Sequence, residues 1–322
     1  MILKKYGRNI QSTMKETNYI ETLIQGSQFR FERLVLDDTD NTPVLNVNEP
    51  RMADEEICLF YRDVHTGNDY FKILHQTIAG GLSERKEAPI VRFADGEYAF
   101  YNYDLNCNGL YRQAESVDAI SKAMPSHIEA LKILAACGKI AALIFPGNIS
   151  RKARGLFNLF SRSKDESSAS TFMKFLFGNG IELTADNYIP FYVVYAYLTS
   201  EDFIHIVDDK KVCILNSEFN RDSCTNWFTR FSSRPGISFV EIPAEYVATR
   251  WESMRENILR QIPQDTDLCL VGAGIGSLPV CIDVARKFSI PAVDAGHVLN
   301  MMNDRVDKSN GARLYTIRKT DT

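Results

Sequence analysis

Between Lys211 and Val293 short apolar runs alternate with amphipathic stretches, and this alternation leaves few folds open. Lys211 to Leu215 reads as a strand and Asp222 to Phe231 as a helix. Ser238 to Ile242 is the next strand, followed by a helix with Val247, Trp251, Met254, Ile258 and Ile262 on one face. Leu268 to Val271, the helix Ser277 to Phe288 and the strand Pro291 to Val293 complete the series. Such a series predicts an α/β fold, a mostly parallel Rossmann-like sheet with flanking helices. In sheets of this kind ligands bind beyond the carboxyl ends of the strands, so chemistry is sought there.

The upstream half extends the pattern. Tyr70, Ile73, Leu74 and Ile78 recur at helical spacing, with Gly80-Gly81 as the expected stop. Ala88 to Phe93 reads as a short buried strand, and Ile140 to Phe145 as another. Between them Val117, Ile120, Met124, Ile128, Leu131 and Leu134 predict a helix kinked or divided at Pro125 and stopped by Gly138. Lys152 to Asp208 is aromatic-rich and mainly helical in character, without separable elements. Residues 1–65 are polar and weakly periodic, so they are expected to be a partly ordered extension to a catalytic body at 66–322.

A net charge of -4, from 37 Lys+Arg against 41 Asp+Glu, gives no general attraction to nucleic acid. The seven cysteines show no C-x-x-C pair and fit buried thiols rather than a disulfide frame. Without an apolar run long enough to span a bilayer, or a signal-peptide pattern, the expectation is a soluble, cytoplasmic protein.

Three strand ends concentrate polar residues and glycines. In Arg92-Phe93-Ala94-Asp95-Gly96-Glu97, two carboxylates across a glycine turn could share a Mg²⁺ or Mn²⁺ ion with phosphate oxygens. An Asp-Gly turn with a surface ion pair accounts for the same residues. Gly272-Ala273-Gly274-Ile275-Gly276 sits between a strand and a helix, where glycines cradle a phosphate or simply allow tight helix packing. Asp294, 22 residues after Gly272, mimics the acidic ribose contact of dinucleotide folds, and His297 follows it on the same loop. Past the strand at Leu215, Glu218 is a candidate base or ribose acceptor and Arg221 a candidate phosphate partner; a solvated loop explains them equally well.

Taken together these strand ends resemble the bacterial GT-D-type glycosyltransferase family. Arg92 with Asp95-Gly96-Glu97 matches its arginine-led D-x-E segment, and Asp294-Ala295-Gly296-His297 its closing Asp-x-Gly-His. Glu218 with Arg221 looks like its mid-domain acidic-then-arginine loop, and the resemblance covers roughly residues 70 to 302. Ala94 replaces a usual glycine, and Gly272-Ala273-Gly274 replaces an expected Gly-Pro. The resemblance implies transfer of a sugar from a nucleotide-diphosphate sugar to a hydroxyl of a glycan, lipid-linked or protein-linked acceptor. It implies donor contacts from Arg92, Asp95, Gly96, Glu97, Arg221, Gly272, Gly274, Gly276 and Asp294, with Mn²⁺ or Mg²⁺ at Asp95 and Glu97. An inverting version needs a general base, for which Glu218 and His297 are the candidates. A nucleotide-dependent oxidoreductase using the glycine loop and Asp294 for NAD, and a non-catalytic assembly protein, are the competing readings.

Overall fold

The computed structural model describes residues 69–105, 113–143, 168–184, 186–229 and 232–304, so the expected extension over 1–65 lies outside the described residues. Seven strands form one sheet: β1 (Ala88–Phe93), β2 (Lys139–Ala142), β3 (Tyr188–Pro190), β4 (Lys211–Asn216), β5 (Gly236–Glu241), β6 (Leu268–Gly272) and β7 (Pro291–Asp294). Their spatial order is β3-β2-β1-β7-β6-β4-β5, and every pair is parallel. All seven carboxyl ends therefore lie along one rim. The central strands carry the continuous apolar runs that burial on both faces requires; β1 and β7 are buried at every position.

Ten α-helices accompany the sheet among the described residues: α1 (Asp69–Glu84), α2 (Asp95–Tyr101), α3 (Val117–Cys137), α4 (Ser168–Gly178), α5 (Phe191–Leu198), α6 (Glu201–Ile206), α7 (Arg221–Thr229), α8 (Val247–Gln261), α9 (Ser277–Phe288) and α10 (His297–Met302). Helices α3, α8 and α9 pack together, with α9 lying on β1, β6 and β7, whereas α1 and α5 pack together beside β1, β2 and β3. His127 ties α3 to two neighbours. Its Nε2–H donates to the Ala248 carbonyl at 2.8 Å and its Nδ1 accepts from the Tyr101 hydroxyl at 3.1 Å. Burial holds its pKa down at about 4, so it is a neutral core histidine.

Several elements differ from expectation. Helix α1 runs through Gly80-Gly81 to Glu84 and ends at Arg85, whose φ is 48°. Gly81 serves close packing, since a Cβ there would lie 2.5 Å from Pro291 Cγ. Helix α3 passes through Pro125 as one helix and caps at Gly138. The aromatic-rich stretch conceals β3, three residues long and followed at once by α5, too short for periodicity to reveal. The residues expected to extend β2, 144 and 145, lie outside the described residues. Cys213, Cys269 and Cys281 are buried free thiols, as expected.

Candidate functional site

The centre of the carboxyl rim is built on Arg92, the penultimate residue of β1. Its side chain is buried, with 8% of its surface exposed, and it spans to the end of the neighbouring strand β7. Nε donates to the Asp294 carbonyl at 2.8 Å, and Nη2 to Asp294 Oδ1 at 2.8 Å. The backbone N–H of Arg92 donates to Asp294 Oδ2 at 3.3 Å, so both carboxylate oxygens face Arg92. Nη1 donates to the Tyr195 hydroxyl. The guanidinium carbon lies 4.5 Å from the Tyr195 ring centroid and 5.3 Å from that of Phe191, residues one helical turn apart on α5.

A guanidinium carries five N–H groups. The three side-chain bonds leave two of them, one on each terminal nitrogen, without a partner among the described residues. Gly296 makes room for this group. Its φ is 40°, and a Cβ built on it would fall 1.7 Å from Arg92 Nη2. The Gly of the Asp-x-Gly-His segment is thus the residue that lets the arginine of the first segment reach the rim. The two sequence segments meet in one buried ion pair.

Asp95, Gly96 and Glu97 form the first turn of α2 rather than a tight loop. Gly96 has open space where a Cβ would stand, so no close approach demands a glycine there. Residues two apart on a helix project roughly 200° apart and do not face each other. Asp95 is exposed, whereas Glu97 turns back so that its Oε2 accepts the Ala94 N–H at 2.8 Å. The two carboxylates therefore do not converge on one cation in this geometry, and among the described residues no group of three or more His, Cys, Asp or Glu side chains is placed to hold a metal. Glu97 keeps part of its surface in solvent. Desolvation of its carboxylate still pushes its pKa up to about 7, the Ala94 N–H and Arg92 opposing and Asp294 reinforcing the shift.

The glycine turn after β6 is closed by protein. The Ile275 N–H donates to Gln113 Oε1 at 3.0 Å, the Ala273 N–H to Ser277 Oγ at 3.2 Å, and the Gly276 N–H to the Ala273 carbonyl at 3.1 Å. Each glycine has a packing reason. A Cβ on Gly272 would lie 2.8 Å from both Asn216 Oδ1 and Leu299 Cδ1, and one on Gly276 2.6 Å from Val247 Cγ1. Gly274 has a φ of 55° and sits against Gln113, whose Oε1 would lie 2.5 Å from an added Cβ. The turn accordingly reads as tight helix packing sealed by a glutamine side chain, not as an open phosphate cradle.

The remaining candidates lie along the same rim. Glu218 is exposed, and its carbonyl accepts from Asn216 Nδ2 at 2.9 Å and Asn303 Nδ2 at 3.3 Å. Arg221 is exposed and lies over Phe239 of β5, 4.6 Å from its centroid, which itself meets Phe219 edge to face. His297 is exposed on the residue after Gly296, with Nδ1 3.3 Å from Asn300 Nδ2. The structure thus brings Arg92, Asp294, Glu97 and the Gly296-His297 loop together at the ends of β1 and β7. Glu218 and Arg221 belong to the end of β4, two strands further along the sheet.

Sequence reasoning missed Tyr195, Phe191, Gln113 and Asn303. Asn303 holds the loop after β4, its Oδ1 accepting the Asn220 N–H at 2.7 Å and its Nδ2 reaching the Glu218 carbonyl. Tyr195 and Phe191 share a signal after the fact, an aromatic pair at i, i+4 directly past a strand end. No family model, curated protein or solved structure matches this chain. No helix among the described residues is long and apolar enough to cross a membrane.

Proposed function

We propose that this protein is a glycosyltransferase that binds a nucleotide-diphosphate sugar at the carboxyl rim of β1 and β7 and transfers the sugar to a hydroxyl acceptor. One observation carries the reading: a buried arginine at the centre of the rim of a parallel sheet keeps two N–H groups without a partner among the described residues. Buried donors of a charged group are costly to leave unmade, and a phosphate is the anion whose geometry a guanidinium fork fits best. Asp294 and Tyr195 fix the plane of the fork, so little ordering remains to be done when the anion arrives. As the nucleoside diphosphate departs, charge builds on its terminal phosphate, and a pre-oriented cation beside that oxygen stabilises it.

His297 is the proposed general base for the acceptor, because it is exposed, directly follows Gly296 at the ends of β1 and β7, and carries an imidazole nitrogen able to accept a proton. Glu218 lies too far along the rim to be favoured over it. The oxidoreductase reading draws no support from the geometry, since Asp294 faces Arg92 and the N–H groups of Ala273, Ile275 and Gly276 are bonded within the protein. The test is a donor-hydrolysis and transfer screen over nucleotide sugars, with and without Mn²⁺, on the whole chain. Turnover of a nucleotide sugar that is lost in His297→Asn supports the reading. A wild-type protein that turns over none of them, or that binds NAD saturably, overturns it.

A further inference from the structure

The two edges of the sheet are protected unequally. At one edge β3 is three residues long and ends in Pro190, and both features discourage a further strand from pairing there. At the other edge β5 is six residues long, and its register against β4 runs one to one without a bulge. Between Gly236 and Glu241 it carries Ile237, Ser238, Phe239 and Val240, with neither charge nor proline.

The hydrogen bonds show what this edge offers. The Gly236 N–H donates to the Lys210 carbonyl at 2.8 Å and the Ile242 N–H to the Asn216 carbonyl at 3.1 Å. Alternate residues of a strand face alternate sides, so Ser238 and Val240 also turn toward β4. Ile237, Phe239 and Glu241 therefore direct their N–H and C=O groups outward, and none of these groups has a partner among the described residues. An uncharged open ladder of this length is what a natural sheet covers.

The chain that follows α10 starts beside this edge. Asn303 accepts the Asn220 N–H and reaches the Glu218 carbonyl, and Phe219 between them meets the Phe239 ring edge to face at 5.0 Å. The chain ahead of α1 enters at the opposite edge, where Tyr70 meets Tyr188 of β3 at 6.0 Å. Residues 305–322 lie outside the described residues. Their sequence carries the turn signal Asn310-Gly311, then Arg313-Leu314-Tyr315-Thr316-Ile317-Arg318, as long as β5. Tyr315, Thr316 and Ile317 are strong strand formers, flanked by the cations Arg313, Arg318 and Lys319. From Asp304 to Arg313 the chain can extend up to about 30 Å, ample to turn onto a neighbour one strand spacing away.

We propose that residues 313–318 pair antiparallel with β5 as an added edge strand, taking the outward N–H and C=O groups of Ile237, Phe239 and Glu241. An antiparallel strand at the edge of an otherwise parallel sheet is a common arrangement. Entering from the carboxyl rim, the segment sets Arg313 beside Glu241, and its flanking cations leave a new edge that resists further pairing. The proposal is independent of the sugar-transfer reading.

Amide hydrogen exchange read by NMR on the whole chain tests it, comparing wild type with Tyr315→Pro/Thr316→Pro. Whatever the register, one of two adjacent prolines removes an N–H that faces β5. In wild type the amides of Ile237, Phe239 and Glu241 should be protected alongside those of Ser238 and Val240. In the variant the three outward amides should exchange at least about tenfold faster, while Ser238 and Val240 change less than about twofold. Fast exchange of the outward amides in wild type overturns the proposal. Protection that survives the prolines also overturns it, and loss of that protection on dilution would assign the edge to a second copy of the chain. Equal losses at inward and outward amides would make the segment a general support of the fold and overturn the pairing. Should the variant fail to fold, wild type still decides: nuclear Overhauser contacts between the backbones of residues 313–318 and β5 are required, and their absence sinks the proposal.

Discussion

Replacing Gly296 with alanine should be among the most damaging single-methyl changes in this protein, and the reason is specific. The new Cβ would stand 1.7 Å from Arg92 Nη2 and 2.6 Å from its Cζ, so the guanidinium must leave its place. Leaving breaks the Nη2 bond to Asp294 Oδ1 and strands a carboxylate that is only 2% exposed. Breaking a buried pair by displacing one partner costs about 3–5 kcal/mol. At φ 40° and ψ -116°, a backbone region that residues with a Cβ rarely adopt, strain adds about 1–3 kcal/mol. The expected loss is therefore about 4 kcal/mol or more, measured by urea unfolding with the slope checked for two-state behaviour. The decisive arm repeats Gly296→Ala in an Arg92→Leu/Asp294→Asn background, where no guanidinium stands in the way and no full charge is orphaned. There the cost should shrink to the backbone strain alone, about 1–3 kcal/mol. An equal cost in both backgrounds would refute the argument that Gly296 exists to admit Arg92.

Gly274→Ala should lower stability by about 1–2 kcal/mol, through its φ of 55° and its contact with Gln113, without a change in donor affinity per folded molecule; a selective loss of nucleotide affinity would instead show that the turn cradles phosphate. His127, with a folded pKa of about 4 against an ordinary 6.5, stabilises the fold fully above pH 6.5 and progressively less as pH falls to 4. That amounts to about 3 kcal/mol, and His127→Gln should flatten this part of a pH-stability curve. Glu97 runs the opposite way: its folded pKa of about 7 lies above the unfolded value, so it penalises the fold increasingly as pH rises from about 4.5 to 7. Glu97→Gln should remove that decline, and an unchanged curve would show the carboxylate to be better solvated than its burial implies.

The parallel sheet was legible because strands buried on both faces write themselves as unbroken apolar runs; Leu268 to Val271 and Lys211 to Leu215 fall within a residue of the observed strand ends. Three-residue β3 was not, because three positions carry no period, and its chemistry is expressed mainly in the aromatic helix after it. Glycines misled where they stood for space rather than for a turn. Gly80-Gly81 did not end α1, and the glycines after β6 answer to Asn216, Leu299, Gln113 and Val247. The D-x-E segment looks like a convergent pair because sequence shows spacing without backbone conformation. Once Asp95 to Tyr101 folds as a helix, that spacing separates the carboxylates. Arg92 and Asp294 each point to a ligand when read alone, yet a pairing across 202 residues is a property of strand order, which local patterns do not reveal.

The central claim is that the open N–H groups of Arg92 receive the diphosphate of a nucleotide sugar. Its most direct test is calorimetric titration of a nucleotide-sugar panel, and of NAD, against wild type and Arg92→Lys, with folding verified for both. Lysine keeps the charge and discards the planar fork. The account predicts saturable binding of at least one nucleotide sugar by wild type, at least about tenfold weaker in Arg92→Lys, and none of NAD. Equal nucleotide-sugar affinity in the two proteins, or saturable binding of NAD by the wild type, would contradict it.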